Sequence, residues 1–154
     1  MDNEQITIKV RDFERRCRES GLKLTPQRSA VYRALINTDT HPTAEEIYQE
    51  VRKEMPAISL DTVNRTLLTL AEIGAAFVVE GTGQPRRFDG GLEDHQHFLC
   101  IRCGKIIDFH YPPFDNITLP PEIEGKFKVL RKTVYLEGLC NACQNQSRQN
   151  QPTV

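Results

Sequence analysis

The sequence predicts an α+β fold in two parts, and three observations carry that prediction. Helix-start signals followed by apolar residues at helical spacing fill much of residues 10–74. Two strand-like runs then flank a glycine-containing loop at residues 76–89. Past Gly90-Gly91 the pattern turns to strands, punctuated by two C-x-x-C pairs. The first two observations describe an N-terminal winged helix-turn-helix. The third describes a small α/β domain closed by a four-cysteine metal site.

The elements follow in order. Val10 to Glu19 reads as a helix ending at Ser20-Gly21. Thr25-Pro26 starts the next, with Thr as N-cap and Pro at the first helical position, where its missing N–H costs nothing. Ala30, Val31, Ala34 and Leu35 continue it. Thr43 with Glu46 is a capping box, and Ile47 and Val51 mark the buried face that follows. Ser59 starts a further helix, in which Leu60, Val63, Leu67 and Leu70 step by three and four until Gly74 stops it. Ala76–Glu80 and Arg86–Asp89 form a hairpin around Gly81-Thr82-Gly83-Gln84-Pro85. In a winged helix the Ser59 helix is the recognition helix and the hairpin is the wing. Residues 90–94 read as a hinge. Strands are expected at 96–101, 105–109 and 126–136, with a loop or short helix between Pro112-Pro113 and Pro120-Pro121. Residues 144–154 are polar, rich in Gln and Asn, and expected to be disordered. The domains are therefore placed at 1–90 and 91–143, with a tail at 144–154.

Composition bounds the function. A chain of 154 residues, 27% charged and 38% hydrophobic, is ordinary for a soluble globular protein. No apolar run approaches the ~18 residues that a membrane span needs. The polar, acidic N-terminus is not a signal peptide, so the cytoplasm is expected. The net charge of −1 argues against broad nucleic-acid affinity, so any DNA binding must be local or conditional on a bound cation.

Four of the five cysteines form the pairs Cys100/Cys103 and Cys140/Cys143. Two C-x-x-C turns a few tens of residues apart suit tetrahedral zinc, and four thiolates leave no open position, so the site is structural. The competing reading is a pair of redox dithiols. Cys17, beside Arg15, Arg16 and Arg18, is either a reactive thiol or a small, partly buried helix residue, and the second reading is preferred.

His95 and His97 stand at i and i+2. On a strand they point to the same side and can share one metal. Asp108 lies on the next strand-like segment. Asp89 ends the wing, and His41 sits in the loop before Thr43. Taken alone, a loop histidine and a single aspartate are ordinarily not ligands. His110 follows Asp108 directly, points to the opposite face and is read as a non-ligand. Imidazoles and carboxylates without a thiolate suit Fe(II), Mn(II) or Zn(II).

The segments Leu24-Thr25-Pro26-Gln27-Arg28, His41-Pro42-Thr43-Ala44, Arg87-Phe88-Asp89, Asp94-His95-Gln96-His97, Cys100-Ile101-Arg102-Cys103-Gly104-Lys105 and Cys140-Asn141-Ala142-Cys143 occur in this order. Together they resemble the ferric uptake regulator (Fur) family over roughly residues 10 to 143. The resemblance implies a homodimer in the cytoplasm with a DNA-binding winged helix and a dimerisation domain holding structural zinc. It also implies a regulatory Fe(II) or Mn(II) held by His41, Asp89, His95, His97 and Asp108. Aspartates at 89 and 108 are similar to the peroxide-responsive (PerR) branch, in which oxidation of a ligand histidine, matching His41 or His95 here, releases the metal and ends repression. A further family site needs a histidine within residues 125–130, where this chain has none. In the recognition helix Thr62, Asn64 and Arg65 are the expected DNA contacts. Most of the family has tyrosine where Asn64 stands.

The expected function is thus a metal-dependent transcriptional repressor that senses peroxide and is not an enzyme. A second reading inside the family is a sensor of iron, manganese or zinc availability. A non-haem metalloenzyme using His95, His97 and a carboxylate is a third, but half the chain is spent on a winged helix, which leaves little room for a substrate pocket. A zinc-ribbon adaptor leaves the Ser59 helix and its wing unexplained.

Overall fold

The computed structural model describes residues 3–38, 40–91, 95–129 and 132–149. The chain divides into two units, Met1–Leu92 and Glu93–Val154. Among the described residues no helix is long and apolar enough to cross a membrane.

The first unit contains α1 (Asn3–Glu19), α2 (Pro26–Ile36), α3 (Ala44–Val51), α4 (Leu60–Glu72), β1 (Phe77–Val78) and β2 (Phe88–Asp89). Helix α1 starts earlier than the sequence predicts. Ile6 and Val10 extend the apolar stripe that continues through the buried Phe13 and Cys17, and all four pack into one core. The Phe13 ring stacks on Tyr32 of α2 at 4.4 Å, and the Tyr32 hydroxyl donates to the Lys9 carbonyl at 3.1 Å. Cys17 is 1% exposed and burial pushes its thiol pKa up, so it is the packing residue that was expected.

Each of the next three helices begins where its cap lies. Thr25 accepts from the Arg28 N–H, and Ser59 accepts from the Thr62 N–H at 3.1 Å. The box at α3 is complete: Thr43 Oγ1 accepts from Glu46 N, and Glu46 Oε2 accepts from Thr43 N at 2.7 Å. On α4 the residues Val63, Thr66, Leu67 and Leu70 face inward, leaving Asp61, Asn64 and Arg65 outside. Burying each of the aliphatic side chains contributes roughly 1.5–3 kcal/mol. Past Ile73 the chain reverses at Gly74, whose φ of +70° is left-handed, and Ala75 N returns to the Leu70 carbonyl at 2.8 Å.

The hairpin is shorter than expected. Only Phe77↔Asp89 and Val78↔Phe88 pair as strands, with Val79 N donating to Arg87 O beyond them. The loop before α3 lies against the same hairpin through a Thr43↔Arg87 bridge and a Phe88 N to Pro42 O bond of 2.9 Å. Gly90, read from sequence as part of a hinge, is a packing glycine. A Cβ there would lie 3.0 Å from Ile36 Cγ2 and 3.1 Å from Leu35 Cγ. Gly91 N is bonded to Asp89 Oδ1, and the remaining part of the expected hinge, 92–94, lies outside the described residues.

The second unit is a three-stranded sheet in the order β4-β3-β5, with β3 (Gln96–Cys100), β4 (Ile106–Phe109) and β5 (Tyr135–Gly138). Strand β4 pairs antiparallel to β3, and β5 pairs parallel to it. Between β4 and β5 lies the short α5 (Pro112–Asp115). The strand expected at 126–136 is confined to its end. Residues 120–127 turn instead, with Ile123 N and Glu124 N both bonded to Pro120 O, which removes the extended backbone that a ladder needs. Residues 130 and 131 lie outside the described residues. Residues 144–149, expected to be disordered, are helical. They continue α6 (Asn141–Gln149), which starts directly after Cys140 and seats the buried Cys143 on its first turn. A Gln/Asn-rich composition says little about a helix anchored in this way.

Candidate functional site

The four paired cysteines come together in the second unit. Cys100 closes β3, and its N–H pairs with the Lys105 carbonyl so that Cys103 and Gly104 form the turn between β3 and β4. Gly104 takes a φ of +72°, which this tight turn requires. Because β5 runs parallel to β3 in the register Cys100↔Gly138, Cys140 and Cys143 arrive at the same end of the sheet as the first pair. All four sulfurs lie within 4.8 Å of one another, and Cys103 Sγ and Cys140 Sγ are 3.8 Å apart. Four thiolates at ~2.3 Å from one zinc ion have sulfurs roughly 3.8 Å apart. The Cys140 N–H points at Cys100 Sγ from 3.3 Å. Backbone N–H groups of Cys103 and Cys140 hold the Cys100 thiol pKa low, while burial and bonding to the other three thiols push that of Cys143 up. Four converging sulfurs with these separations fit zinc, which binds cysteine as thiolate.

The second unit also carries His95, His97 and Asp108. Their placement follows from strand parity. His97 on β3 pairs in register with Asp108 on β4, and its Nε2 lies 3.6 Å from Asp108 Oδ1. The His95 and His97 Nε2 atoms are 3.2 Å apart, with the rings edge-on. His97 is 3% exposed, and the Asp108 side chain is exposed. His110 does project elsewhere, its Nε2 lying 2.9 Å from Asp115 Oδ2.

The first unit carries His41 and Asp89. They lie far apart in sequence but are joined by the loop-to-hairpin contact described above. His41 Nε2 and Asp89 Oδ2 are 3.9 Å apart, and both residues are nearly excluded from solvent. Asp89 Oδ1 accepts from Gly91 N at 2.7 Å, which fixes the carboxylate plane. Two donors each ~2.1 Å from one ion can be no more than about 4.2 Å apart. The three pairs, at 3.2, 3.6 and 3.9 Å, all satisfy that limit. Their mixed N/O chemistry fits a borderline divalent ion.

The surface of α4 is less simple than the sequence implies. Thr62 is half-buried, and its hydroxyl lies 2.9 Å from Ser59 Oγ within the cap. Arg65 Nε pairs with Asp61 Oδ2 at 2.9 Å, fully on the surface. Asn64 lines a cleft of about 620 Å³ shared with Leu60, Thr43, Gln84, Arg86 and Phe88, between the helix and the hairpin.

Two residues that sequence reasoning missed support these groups. Gln96, between the two histidines and on the opposite face, is 4% exposed. Its amide donates to Asp115 Oδ1 at 2.7 Å, and its carbonyl accepts from Tyr111 N at 2.8 Å, which ties α5 to the centre of the sheet. Strand alternation at 95–97 was the available signal for an inward polar residue. Arg87 donates to the His41 carbonyl at 3.0 Å, a contact with no sequence signature.

The sequence profile of the Ferric uptake regulator family matches residues 19–137. The peroxide-responsive repressor PerR of Staphylococcus saprophyticus is 36% identical over 142 residues, spanning 92% of this chain and 96% of that protein. Among solved structures, the Helicobacter pylori ferric uptake regulator Fur is similar with a TM-score of 0.66 and 27% identity, covering 90% of this chain and 93% of that one. The Campylobacter jejuni peroxide stress regulator is similar with a TM-score of 0.60 and 27% identity, covering 93% and 100%. With a four-thiolate cluster, two His/Asp groups and a capped recognition helix beside a hairpin, the chain belongs to the ferric uptake regulator family, and so to the metal-dependent DNA-binding repressors.

Proposed function

We propose that this protein is a homodimeric repressor of operator DNA that senses hydrogen peroxide through one regulatory Fe(II), with Mn(II) as the insensitive alternative. Structural zinc on Cys100, Cys103, Cys140 and Cys143 holds the second unit. Residues 1–90 serve as the DNA-binding domain and 91–143 as the dimerisation domain. His41 and Asp89 from the first, with His95, His97 and Asp108 from the second, supply the ligands of the regulatory ion.

The observation that carries this reading is the pairing of imidazole with aspartate in each unit, His41 with Asp89 and His97 with Asp108. Neither pair makes a complete site, so an ion that needs both favours one relative orientation of the two domains. In a dimer that orientation sets the spacing of the recognition helices, which must match half-sites about one helical turn apart. The ion therefore acts by differential stabilisation of the DNA-competent state. It also offsets the negative charge of Asp89 and Asp108 in a chain whose net charge is −1. Iron(II), when bound, supplies the reducing electron for peroxide cleavage beside the ligand imidazoles. His41 and His95 are the rings proposed to take up oxygen, and a ring so modified is a poorer ligand.

The test is an operator-binding titration with Fe(II) and Mn(II) separately, repeated after peroxide, with mass spectrometry of the peptides holding His41 and His95. The Fe(II) form should lose DNA affinity and gain one oxygen on one of those peptides, while the Mn(II) form keeps its affinity and gains no oxygen. Equal insensitivity of the two forms leaves the protein a sensor of iron, manganese or zinc availability.

A further inference from the structure

His41 has a backbone conformation that its sequence context opposes. Its φ is +50°, in the left-handed region that non-glycine residues seldom enter. It also precedes Pro42, whose ring disfavours helical backbone at the residue before it. Such a conformation persists only where the surroundings over-determine it. Among the contacts of the described residues, one side chain and two main-chain contacts hold this turn. Arg87 Nη1 donates to the His41 carbonyl at 3.0 Å, Phe88 N donates to the Pro42 carbonyl, and Thr43 bridges Arg87. The same Nη1 lies 3.4 Å from Glu46 Oε2, the carboxylate oxygen that closes the α3 capping box. The main chain of Arg87 accepts from Val79 in the hairpin, and two residues later comes Asp89.

We propose that Arg87 is the positioning residue for the metal half-site of the first unit: its guanidinium locks the left-handed turn at His41, so that the imidazole faces Asp89, and ties that turn to the hairpin. The proposal rests on the reading that His41 and Asp89 are metal ligands. Arg87 touches neither the ion nor DNA in this role. It acts through the His41 carbonyl, as hydrogen-bonding groups behind metal ligands generally do. Without it His41 relaxes towards the extended backbone that a residue before proline prefers, and the ring swings away from Asp89.

The experiment measures Mn(II) affinity of the full chain by titration, reading free Mn(II) by electron paramagnetic resonance, alongside the melting temperature without Mn(II). Arg87→Gln should weaken Mn(II) binding by about 10–100-fold, the usual range for a residue that orients a ligand. Thr43→Ala serves as the control. It removes the α3 cap and lowers the melting temperature, yet should leave Mn(II) affinity within about twofold, because the Arg87 to His41 bond remains. His41→Ala tests the underlying reading and should weaken binding at least as much as Arg87→Gln. If His41→Ala leaves affinity unchanged, the ligand assignment itself fails. If His41→Ala weakens binding but Arg87→Gln does not, the positioning role alone is overturned. It is also overturned if Thr43→Ala weakens binding as much as Arg87→Gln, since the loss would then track stability. Where the Gln variant does not fold, Arg87→Lys carries the test. Both contacts come from the one nitrogen Nη1, and an ammonium has three donors, so Arg87→Lys should hold Mn(II) clearly tighter than Arg87→Met, which has none; equal affinity of these two variants overturns the proposal.

Discussion

Replacing Cys143 by serine in the full chain should unfold the second unit and leave the first intact. The magnitude follows from where apolar side chains are buried. Among the described residues, every buried aliphatic or aromatic side chain, from Phe13 to Phe88, belongs to the first unit. In the second unit the buried apolar positions are Cys100 and Cys143 themselves, while Ile107, Tyr135 and Leu136 on the sheet are 38, 40 and 43% exposed. Ordering a residue costs about 1.5 kcal/mol, and a fully buried aliphatic side chain returns roughly 1.5–3 kcal/mol. Within one chain, the described residues of this unit include none of the latter to set against that cost. A structural zinc contributes about 10–16 kcal/mol, as much as the whole net stability of a typical domain at about 5–15 kcal/mol. Hydrogen exchange read by peptide mass spectrometry, with zinc content measured on the same sample, distinguishes the two units. Peptides from β3 to α6 should exchange at the rate of an unfolded chain, while those from α2 to α4 stay protected. Full protection of β3 in zinc-free Cys143→Ser would refute the reasoning, because packing alone would then have sufficed.

Two further outcomes are expected. The Thr43 N–H, opposed in part by burial and assisted by the Thr43 hydroxyl and Arg87, holds the Glu46 carboxyl below the usual glutamate range. A depressed folded pKa stabilises above the unfolded value of about 4.3 and is lost as pH falls through the folded value. The gap in melting temperature between the parent and Glu46→Gln should therefore be present at pH 7 and close below about pH 4. Leu67→Ala, at a fully buried position of α4, should cost about 2–5 kcal/mol by urea unfolding, with operator affinity falling alongside it; a loss under about 1 kcal/mol would mean that α4 is not anchored by this face.

Most of the first unit was legible because its signals are local. Thr25, Thr43 and Ser59 cap the helices at the positions read from sequence, and the i, i+3, i+4 stripe on α4 is the buried one. Strand parity correctly set His95 and His97 on one side and His110 on the other. Elements defined by distant partners were harder to read. The parallel pairing of β5 with β3 has no turn to announce it, and the expected strand at 126–136 fell largely to a turn begun at Pro120. Helix α6 was hidden by its composition. The approach of His41 to Asp89 came from family resemblance alone, since a bond from Arg87 to a carbonyl 46 residues away leaves no trace in spacing.

The parallel course of β5 also bears on how the protein is made. A parallel neighbour cannot be reached through a tight turn, and the contact from Cys140 to Cys100 spans 40 residues. On the ribosome Cys100 and Cys103 emerge as two bare thiols with no second pair to meet. The helices of the first unit, whose caps and turn-to-turn bonds are local, can form in the meantime. Capture of the ion is then a finishing step of biosynthesis, and the cellular supply of zinc at that moment governs when the sheet becomes rigid.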